Sequence, residues 1–184
     1  QSVLVGIAYR YTWYDDNTVI TQTNDSLYPK NKPNNVALPG VFIQDEIKFN
    51  CNHKLLLGFR YDYNEVHGSI YTPRLAYKWS LNSNNILRLN AGTGYRVANV
   101  FSEDHAALTG SREVIVVNDL KPEQSVNMNL NYVTKFYKEK FIFGIDMSFF
   151  YTRFSNRIIA DYDTDPNKIY FNNLKGYAIS QGFS

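Results

Sequence analysis

The stretch VGIAYRYTW, residues 5–13, decides the fold because its side chains alternate strictly between two unlike classes. One class is apolar and aromatic: Val5, Ile7, Tyr9, Tyr11 and Trp13. The other is small or polar: Gly6, Ala8, Arg10 and Thr12. Successive side chains of a β-strand point to opposite faces, so this period of two predicts a strand with one apolar face and one polar face.

The same alternation recurs along the chain. It is clear in residues 55–64, 72–79, 87–96, 125–132 and 141–152, and weaker in residues 41–47. In that weaker segment Asp45 falls on the apolar side, where we expect it at the level of lipid headgroups. A further strand near the carboxyl end brings the expected number to about eight. The predicted fold class is all-β with antiparallel strands, because no helical periodicity persists.

The connections between the predicted strands alternate between short and long. Residues 50–54, 81–85 and 137–140 read as tight turns, 64–69 as a moderate loop, and 15–37, 97–121 and 155–173 as long loops, the last with a small strand at 169–171. Outer-membrane barrels have short periplasmic turns and longer outside loops, and their tilted strands need roughly ten residues to cross the bilayer. The pattern predicts one domain over residues 1–184, an up-and-down transmembrane β-barrel segment.

Composition excludes several other classes of protein. The net charge of +2 comes from 19 basic and 17 acidic residues that are scattered along the chain, so nucleic acid is not expected as a partner. Cys51 is the only cysteine, which rules out an internal disulfide. No run of about 18 apolar residues predicts a transmembrane helix. The chain does not begin with signal-peptide features, so we expect mature or internal sequence.

No catalytic or metal-binding pattern is present in the sequence. The three histidines, His53, His67 and His105, lie far apart and fall in predicted turns or loops. The serines lack a nucleophile motif, and the glycines of residues 92–94 precede no helix that would bind phosphate. We therefore expect no enzyme activity, no metal and no cofactor.

Six charged side chains fall on the polar faces of the predicted strands: Arg60, Asp62, Arg74, Arg88, Arg96 and Asp146. Exposing such groups to lipid is costly, so we expect them to face the lumen of a barrel. A mutual charge network, or contact with a plug domain, is favoured over direct ligand binding, and charges that line an empty pore are the remaining alternative. Ligand contacts are expected in the long loops, especially residues 97–121.

A series of strings follows in a fixed order along nearly the whole chain. They are GVFIQDE at 40–46, LGFRYD at 57–62, TPRLAY at 72–77, LRL at 87–89 with GTGYR at 92–96, LKPEQS at 120–125, and YFNN at 170–173 followed by Gly176 and Gly182. Together these strings resemble the barrel of TonB-dependent outer-membrane receptors, with the last one similar to a further barrel strand. The chain departs from that family at Val97-Ala98, where proline is frequent.

The resemblance implies a receptor in the outer membrane of a Gram-negative bacterium. Such a receptor imports a scarce nutrient, such as an iron chelate (a siderophore complex), haem, cobalamin or a glycan, with energy passed through TonB. Its barrel has about 22 strands around a plug, so the chain is expected to be a middle portion without the plug and the remaining strands. The implied partners are outer-membrane lipid, the plug domain, TonB through the parent protein, and a small nutrient ligand. Alone, its open edges and apolar face would favour self-association.

Two other functions fit the alternation. One is a complete eight-stranded barrel that acts as an adhesin or membrane enzyme, in which the last strand pairs with the first. The other is a soluble β-sandwich that binds carbohydrate, in which the aromatic face is buried.

Overall fold

The alternating segments form long strands in the computed structural model, which describes residues 1–14, 34–97, 112–116 and 120–184. In chain order they are β1 (Ser2–Tyr14), β2 (Asn34–Lys48), β3 (His53–Asn64), β4 (Gly68–Ser80), β5 (Asn85–Arg96), β6 (Glu113–Val116), β7 (Glu123–Lys138), β8 (Phe141–Ser155), β9 (Ile158–Asp161), β10 (Lys168–Asn173) and β11 (Tyr177–Phe183). Within the described ranges no helix has the length and apolar character needed to span a membrane.

Eight of the strands form one sheet in the order β1-β2-β3-β4-β5-β7-β8-β11, and every neighbouring pair is antiparallel. This up-and-down order confirms the predicted all-β fold class and the expected number of strands. β1 and β11 lie at opposite edges of the sheet and do not pair with each other in the described part of the chain. The closed eight-stranded barrel, which needs that pairing, is therefore not the arrangement observed.

In this sheet large apolar side chains are exposed and some polar side chains are buried, which is the reverse of the arrangement in a soluble protein. Large apolar side chains are exposed, as Ile7 is at 87% and Phe141 at 75%, whereas Asp62 on the polar face is only 5% exposed. A β-sandwich would bury its aromatic face in a core. An exposed apolar face above a partly buried polar face fits a wall with lipid on one side.

Short turns collect at one end of the sheet. Asn50 Oδ1 accepts the backbone N–H groups of Asn52 and His53, and Asn82 Oδ1 accepts those of Asn84 and Asn85. Asparagine closes such turns because its short side chain hydrogen-bonds the backbone two or three residues on. We call this the short-turn end and the opposite end the loop end.

A second, smaller sheet lies within the connections at the loop end. Its order is β6-β10-β9, with β10 parallel to β6 and antiparallel to β9. Ile169 and Phe171 are its buried core. The predicted strand at 169–171 is confirmed, but residues 170–173 belong to this loop sheet and not to a barrel strand. Gly176, with φ of 118°, separates them from β11 because only glycine adopts that conformation readily.

Aromatic side chains lie on the apolar face near both ends of the strands. At the short-turn end His53 stacks with Tyr77 and with Trp79, with ring centroids 6.0 and 5.5 Å away, and its Nδ1 lies 2.6 Å from the Tyr77 hydroxyl. At the loop end Tyr61 and Tyr71 are 5.4 Å apart. His53 is the first residue of β3, whereas the sequence predicts that it lies in a turn. Rings at two levels are typical of the interfacial girdles of membrane barrels.

Candidate functional site

The strand register brings all six predicted site residues to one face of the sheet. Directly opposed residues of antiparallel strands share a face. Arg60 lies opposite Thr72, Arg74 opposite Gly58 and Gly92, Arg88 opposite Lys78 and Asn131, Arg96 opposite Glu123, Asp62 opposite Gly40 and Ile70, and Asp146 opposite Val133. Because side chains alternate along each strand, residues two positions apart share a face, so all of these rows lie on the same side of the sheet. We call this surface the polar face, and the opposite one the apolar face.

Arg60 and Asp62 form a two-point ion pair toward the loop end of the polar face. Arg60 Nε and Nη2 donate to the two carboxylate oxygens of Asp62, each at 2.7 Å. The Asp62 side chain is 7% exposed and the Arg60 side chain 40%. Because the two charges are satisfied by each other, this pair within β3 leaves little charge for a ligand.

Arg96 and Glu123 form a second ion pair, which joins the wall to the loop sheet. Arg96 Nε and Nη2 lie 2.7 and 2.5 Å from Glu123 Oε2, and Glu123 Oε1 accepts the backbone N–H of Ile158 at 2.9 Å. The Glu123 side chain is 9% exposed. One buried carboxylate therefore connects β5, β7 and the first residue of β9.

A cavity of about 420 Å³ opens beside this second pair, lined by Arg96, Glu123, Ser125, Phe154 and Arg157 among others. The guanidinium of Arg157 lies 5.4 Å from the centre of the Phe154 ring. The cavity combines cationic, hydroxyl and aromatic groups at the junction of the barrel wall and the loop sheet. Such a mixture can contact an aromatic anion.

Asn173 holds two of the loop segments together. Its Oδ1 accepts the backbone N–H of Lys121 at 2.8 Å, and its Nδ2 donates to the carbonyl oxygens of Lys121 at 2.9 Å and Asn156 at 2.6 Å. The segments before β7 and after β8 are therefore fixed to each other at the loop end. Residues 98–111, most of the loop expected to contact ligand, lie outside the described residues.

Arg74 lies between two glycines in its row. A β-carbon at Gly92 would be 3.3 Å from Arg74 Cγ, and one at Gly58 would be 3.7 Å from Arg74 Cβ. Arg74 is exposed and has no hydrogen bond or ion pair to any part of the chain that the structure describes. Its guanidinium is therefore unpaired within the described part of the chain.

Arg88 and Asp146 are joined by an amide toward the short-turn end. Arg88 Nη1 donates to Asn131 Oδ1 at 3.0 Å, and Asn131 Nδ2 donates to Asp146 Oδ1 at 2.5 Å and to Ser148 Oγ at 2.9 Å. Of the six predicted residues, Arg60 and Asp62 bond directly to each other. Glu123 and Asn131 complete the other contacts, and sequence reasoning missed both because only the register shows what lies opposite Arg96 and Arg88.

Asp45 is the exception on the apolar face, where its register neighbours are Val3 and Leu57. Its Oδ2 accepts a bond from Gln1 Nε2 at 2.7 Å, while its Oδ1 is buried without a partner among the described residues. Asp45 and Thr93 border a groove of about 620 Å³ that is otherwise mostly apolar. The register places Asp45 in one row with Leu57 and Leu75, farther from the short-turn end than the His53 ring. Asp45 therefore lies among the aliphatic side chains of the apolar face and not at the headgroup level that the sequence predicts.

The remaining titratable residues form no second centre in the described ranges. There, no three His, Cys, Asp or Glu side chains are grouped so as to hold a metal ion. Cys51 is exposed in the first short turn. Burial lowers the pKa of His67, which follows β3 in a turn closed by Asn64. His105 lies outside the described residues.

Comparison with known proteins identifies what the chain is similar to. A family model described as "TonB dependent receptor-like, beta-barrel" matches residues 1–184. The iron-regulated outer membrane virulence protein of Vibrio cholerae serotype O1 is 29% identical over 92 residues, which make up 49% of this chain and 14% of that protein.

Two solved structures share the fold over almost the whole chain. The siderophore receptor PirA from Acinetobacter baumannii has 21% sequence identity and a TM-score of 0.70, over 98% of this chain and 31% of that one. A mutant of the ferric enterobactin receptor PfeA from Pseudomonas aeruginosa, in complex with enterobactin, has 16% identity and a TM-score of 0.72, over 98% and 30%. The chain spans about a third or less of the length of these proteins.

Proposed function

The chain belongs to the family of TonB-dependent receptor-like β-barrels, and on that premise we propose that it forms part of the wall of an active transporter for a negatively charged iron chelate. Members of this family are transport receptors of the Gram-negative outer membrane, and the chain accordingly lies in that membrane. We further propose that residues 1–184 are a single, incomplete segment of the barrel. Its loop end is then extracellular and its short-turn end periplasmic.

The observation that carries the choice of ligand is the charge of the polar face. Its strand residues include the cations Arg10, Lys48, Lys54, Arg60, Arg74, Lys78, Arg88, Arg96 and Lys135, against the acids Glu46, Asp62, Glu123 and Asp146. An excess of cations inside a low-dielectric wall attracts anions and raises their local concentration. Among the candidate nutrients, an anionic ferric chelate gains from this field, and so does haem through its propionates, whereas neutral cobalamin or a neutral glycan does not.

The named relatives support iron in particular. One is called iron-regulated, and the two solved structures are a siderophore receptor and a ferric enterobactin receptor. In our proposal the extracellular cavity beside Arg96 and Phe154 meets the chelate first, and the unpaired Arg74 contacts it deeper on the polar face. The pair of Arg60 and Asp62 has a structural role. Release of the chelate toward the periplasm uses energy passed through TonB to the complete protein.

Ligand binding to the complete receptor in detergent tests the proposal. Calorimetry would compare ferric enterobactin, an uncharged ferric hydroxamate, haem and cyanocobalamin at low and high salt. We expect the anionic ferric chelate to bind most tightly and to weaken as salt rises. Arg74→Gln should weaken it by roughly tenfold, the effect of about 1.4 kcal/mol, while Lys138→Gln at the periplasmic end of β7 should leave it unchanged. Tighter binding of haem or of a neutral ligand would overturn the proposal.

Energy coupling needs a separate measurement in cells. Uptake of radiolabelled iron by cells that carry the complete receptor should stop when TonB is deleted or a protonophore is added. Binding of the chelate at the cell surface should continue under both conditions. Uptake that proceeds equally well without TonB would contradict an active transporter and would indicate a passive pore.

A further inference from the structure

The pairing between β4 and β5 ends before either strand does. Its last pair toward the loop end is Arg74 with Gly92, although β4 extends to Gly68 and β5 to Arg96. The remaining segments, residues 68–73 and 93–96, stay paired with β3 and β7 on their other sides. Pro73 stands where the next pair would form, and it has no N–H to donate. We call the gap between these two facing segments the seam.

The seam is unusual for a wall that lies in lipid. Lipid tails offer no hydrogen bonds, so a barrel normally pairs every backbone N–H and C=O of its strands with a neighbouring strand. The seam extends to the level of Tyr71, whose ring lies beside Tyr61 at the loop end. Aromatic rings of this kind mark the depth of the lipid head groups. The backbone groups in the seam therefore need polar partners from outside the two strands.

Two cavities border the seam, and both are lined by Thr93 and Val126. The first is the mostly apolar groove of about 620 Å³ described above. The second is a cleft of about 270 Å³, and its polar lining comprises Ser69, Thr93, Tyr71, Tyr95, Gln124, Ser125 and Ser155. Oγ1 of Thr93 is buried and has no hydrogen-bond partner in the ranges that the structure describes. An unsatisfied hydroxyl thus lies where the apolar groove meets the polar cleft.

The apolar face becomes polar in one direction on three neighbouring strands. From the middle of the wall to the loop end, the rows across β5, β7 and β8 are Ala91, Met128 and Tyr151; Thr93, Val126 and Arg153; and Tyr95, Gln124 and Ser155. The groove borders the first two rows, and the cleft borders the last two. A molecule that fills both cavities must therefore have an apolar part toward the membrane interior and a polar part toward the membrane surface.

Arg153 places a positive charge beside the polar cleft. Its register partner Val126 and the residue two positions on, Ser155, both line the cleft. The Arg153 side chain is exposed, and its guanidinium lies 4.6 Å from the centre of the Tyr177 ring. No carboxylate of the described chain pairs with it. An arginine on the membrane side of the wall, at the level of the head groups, favours a phosphate as its partner.

We propose that the seam is a binding site for one phosphorylated lipid of the membrane leaflet at the loop end. An acyl chain lies in the groove, an ester oxygen accepts a hydrogen bond from Thr93, the head group fills the cleft, and its phosphate pairs with Arg153. Asp45, the acid that borders the groove, lies three strands from Thr93 on β2 and away from the head group. The site differs from ordinary lipid contact because it gives one lipid a fixed place and a fixed direction.

Native mass spectrometry of the complete receptor in detergent tests the contact with the head group. Dioleoylphosphatidylglycerol and dioleoylglycerol have the same tails, and only the first carries a phosphate. We expect one phosphatidylglycerol per receptor to bind at a several-fold lower concentration than the diacylglycerol requires. Arg153→Gln should abolish this preference, while Lys140→Gln, at an exposed residue of the opposite end, should leave it intact. Equal binding of the two lipids to the wild type, or a preference that survives Arg153→Gln, would overturn the proposal.

Two further variants test the groove and the hydroxyl. Ala91→Phe fills the groove, and Thr93→Val removes the hydroxyl with little change of shape. Both should weaken the binding of both lipids several-fold, because both lipids have tails and esters. Ile7→Phe, on the apolar face of β1 and outside the groove, is the control. Heat-modifiable migration checks folding, and Ala91→Leu replaces Ala91→Phe if the latter does not fold. Unchanged lipid binding in these folded variants would contradict the site.

Photolabelling distinguishes a fixed lipid from the lipid that merely surrounds the barrel. Phosphatidylglycerol with a diazirine in one acyl chain would be supplied at one molecule per receptor in phosphatidylcholine vesicles. We expect the label on residues 91–93 and 73–75 to exceed the label on residues 3–5, which are exposed on the apolar face of β1. Equal labelling of these segments would mean that no lipid has a preferred place, and the proposal would be wrong.

The lipid site and the transport proposal are tested separately. Arg153 and Ala91 lie on the apolar face, opposite to Arg74, so their variants should leave binding of the ferric chelate unchanged. If the receptor binds no anionic chelate but prefers phosphatidylglycerol through Arg153, only the ligand assignment is wrong. If the chelate binds and the lipid preference is absent, water fills the seam and only the lipid site is wrong.

Discussion

The carboxylate of Asp62 lies directly over the bare Cα of Gly40, its register partner on β2. A β-carbon built on Gly40 would be 2.1 Å from Asp62 Oδ1 and 2.9 Å from the backbone oxygen of Tyr61. Backbone atoms cannot give way to such a contact, so no other residue fits at Gly40 without a shift. The glycine thereby allows Asp62 to reach the position in which it accepts both bonds from Arg60.

Gly40→Ala should displace Asp62 and break its two-point bond with Arg60. We expect a loss of about 1–3 kcal/mol of stability, the usual cost of overpacking. The midpoint of heat-modifiable migration of the complete receptor measures it. Gly58→Ala is the matched control, because a β-carbon there meets nothing closer than Arg74 Cβ at 3.7 Å. Equal midpoints for the two variants would contradict the steric role of Gly40.

Asp45→Leu should stabilise the protein, in contrast to most substitutions of a charged residue. Asp45 lies among Val3 and Leu57 on the apolar face, and one of its oxygens is buried without a partner in the described chain. Removing such an oxygen should raise stability by about 1–3 kcal/mol. Asp146→Leu is the opposite control, because Asp146 accepts a bond from Asn131 on the polar face and its loss should destabilise. Denaturant unfolding in detergent would compare the two. An Asp45→Leu protein less stable than wild type would contradict the prediction and would mean that the bond from Gln1 to the other carboxylate oxygen outweighs the buried one.

Glu123→Ala should release the loop sheet from the barrel wall. The substitution removes the acceptor of both Arg96 and the Ile158 N–H, and hydrogen bonds to a charged group are each worth about 1.5–3 kcal/mol. We expect amide hydrogen exchange in β9 and β10 to accelerate at least tenfold, with exchange in β3 and β4 unchanged. Glu139→Ala, at the exposed turn of the other end, is the control. Unchanged exchange in β9 would mean that the loop sheet is held by other contacts.

The turn after β9 should depend on pH through Asp161. The Thr164 hydroxyl, followed by the backbone N–H groups of Asp163 and Thr164, lowers the pKa of Asp161 below its ordinary value of 3.8 by bonding to its charged form. A lowered pKa means that the stabilisation is complete above 3.8 and is lost as the pH falls through the lowered value. Carbon NMR of labelled aspartate would follow this titration. Thr164→Val should move the midpoint upward, and Thr152→Val, in the wall, should not. An unshifted midpoint in Thr164→Val would contradict the assignment.

The sequence is sufficient to predict the strands and which side chains share a face, because the period of two is visible within each strand and does not depend on the neighbouring strands. It placed Arg60 and Arg74 on one face correctly relative to the apolar neighbours of each strand. The alternation predicts that β2 starts near residue 41, because Pro39 and Gly40 are residues typical of loops. In the structure β2 begins at Asn34. In the structure Pro39 pairs with Tyr9 and Gly40 with Asp62, so their strand role depends on neighbours distant in sequence.

The features that depend on register could not be predicted from one sequence. Lys48, Lys54, Lys78 and Arg88 are ordinary isolated cations along the chain, and they become a continuous row only when four strands are aligned. The same holds for Glu123, whose role follows from facing Arg96 and from the position of β9. The sequence pattern places β6 within a loop, because its short parallel pairing with β10 leaves no local signal in residues 113–116.

The distance between the two levels of aromatic rings also sets the thickness of hydrocarbon that the barrel wall can span. His53 and Tyr63 lie on the apolar face at opposite ends of β3. At a rise of about 3.3 Å per residue and a tilt of roughly 40°, they are separated by about 25 Å along the bilayer normal. An average bilayer has about 30 Å of hydrocarbon, so the wall suits a thinner membrane, as the bacterial outer membrane is. In a thicker bilayer the lipid around this protein would have to thin to match the wall. Short-chain lipids are therefore the better choice for reconstitution.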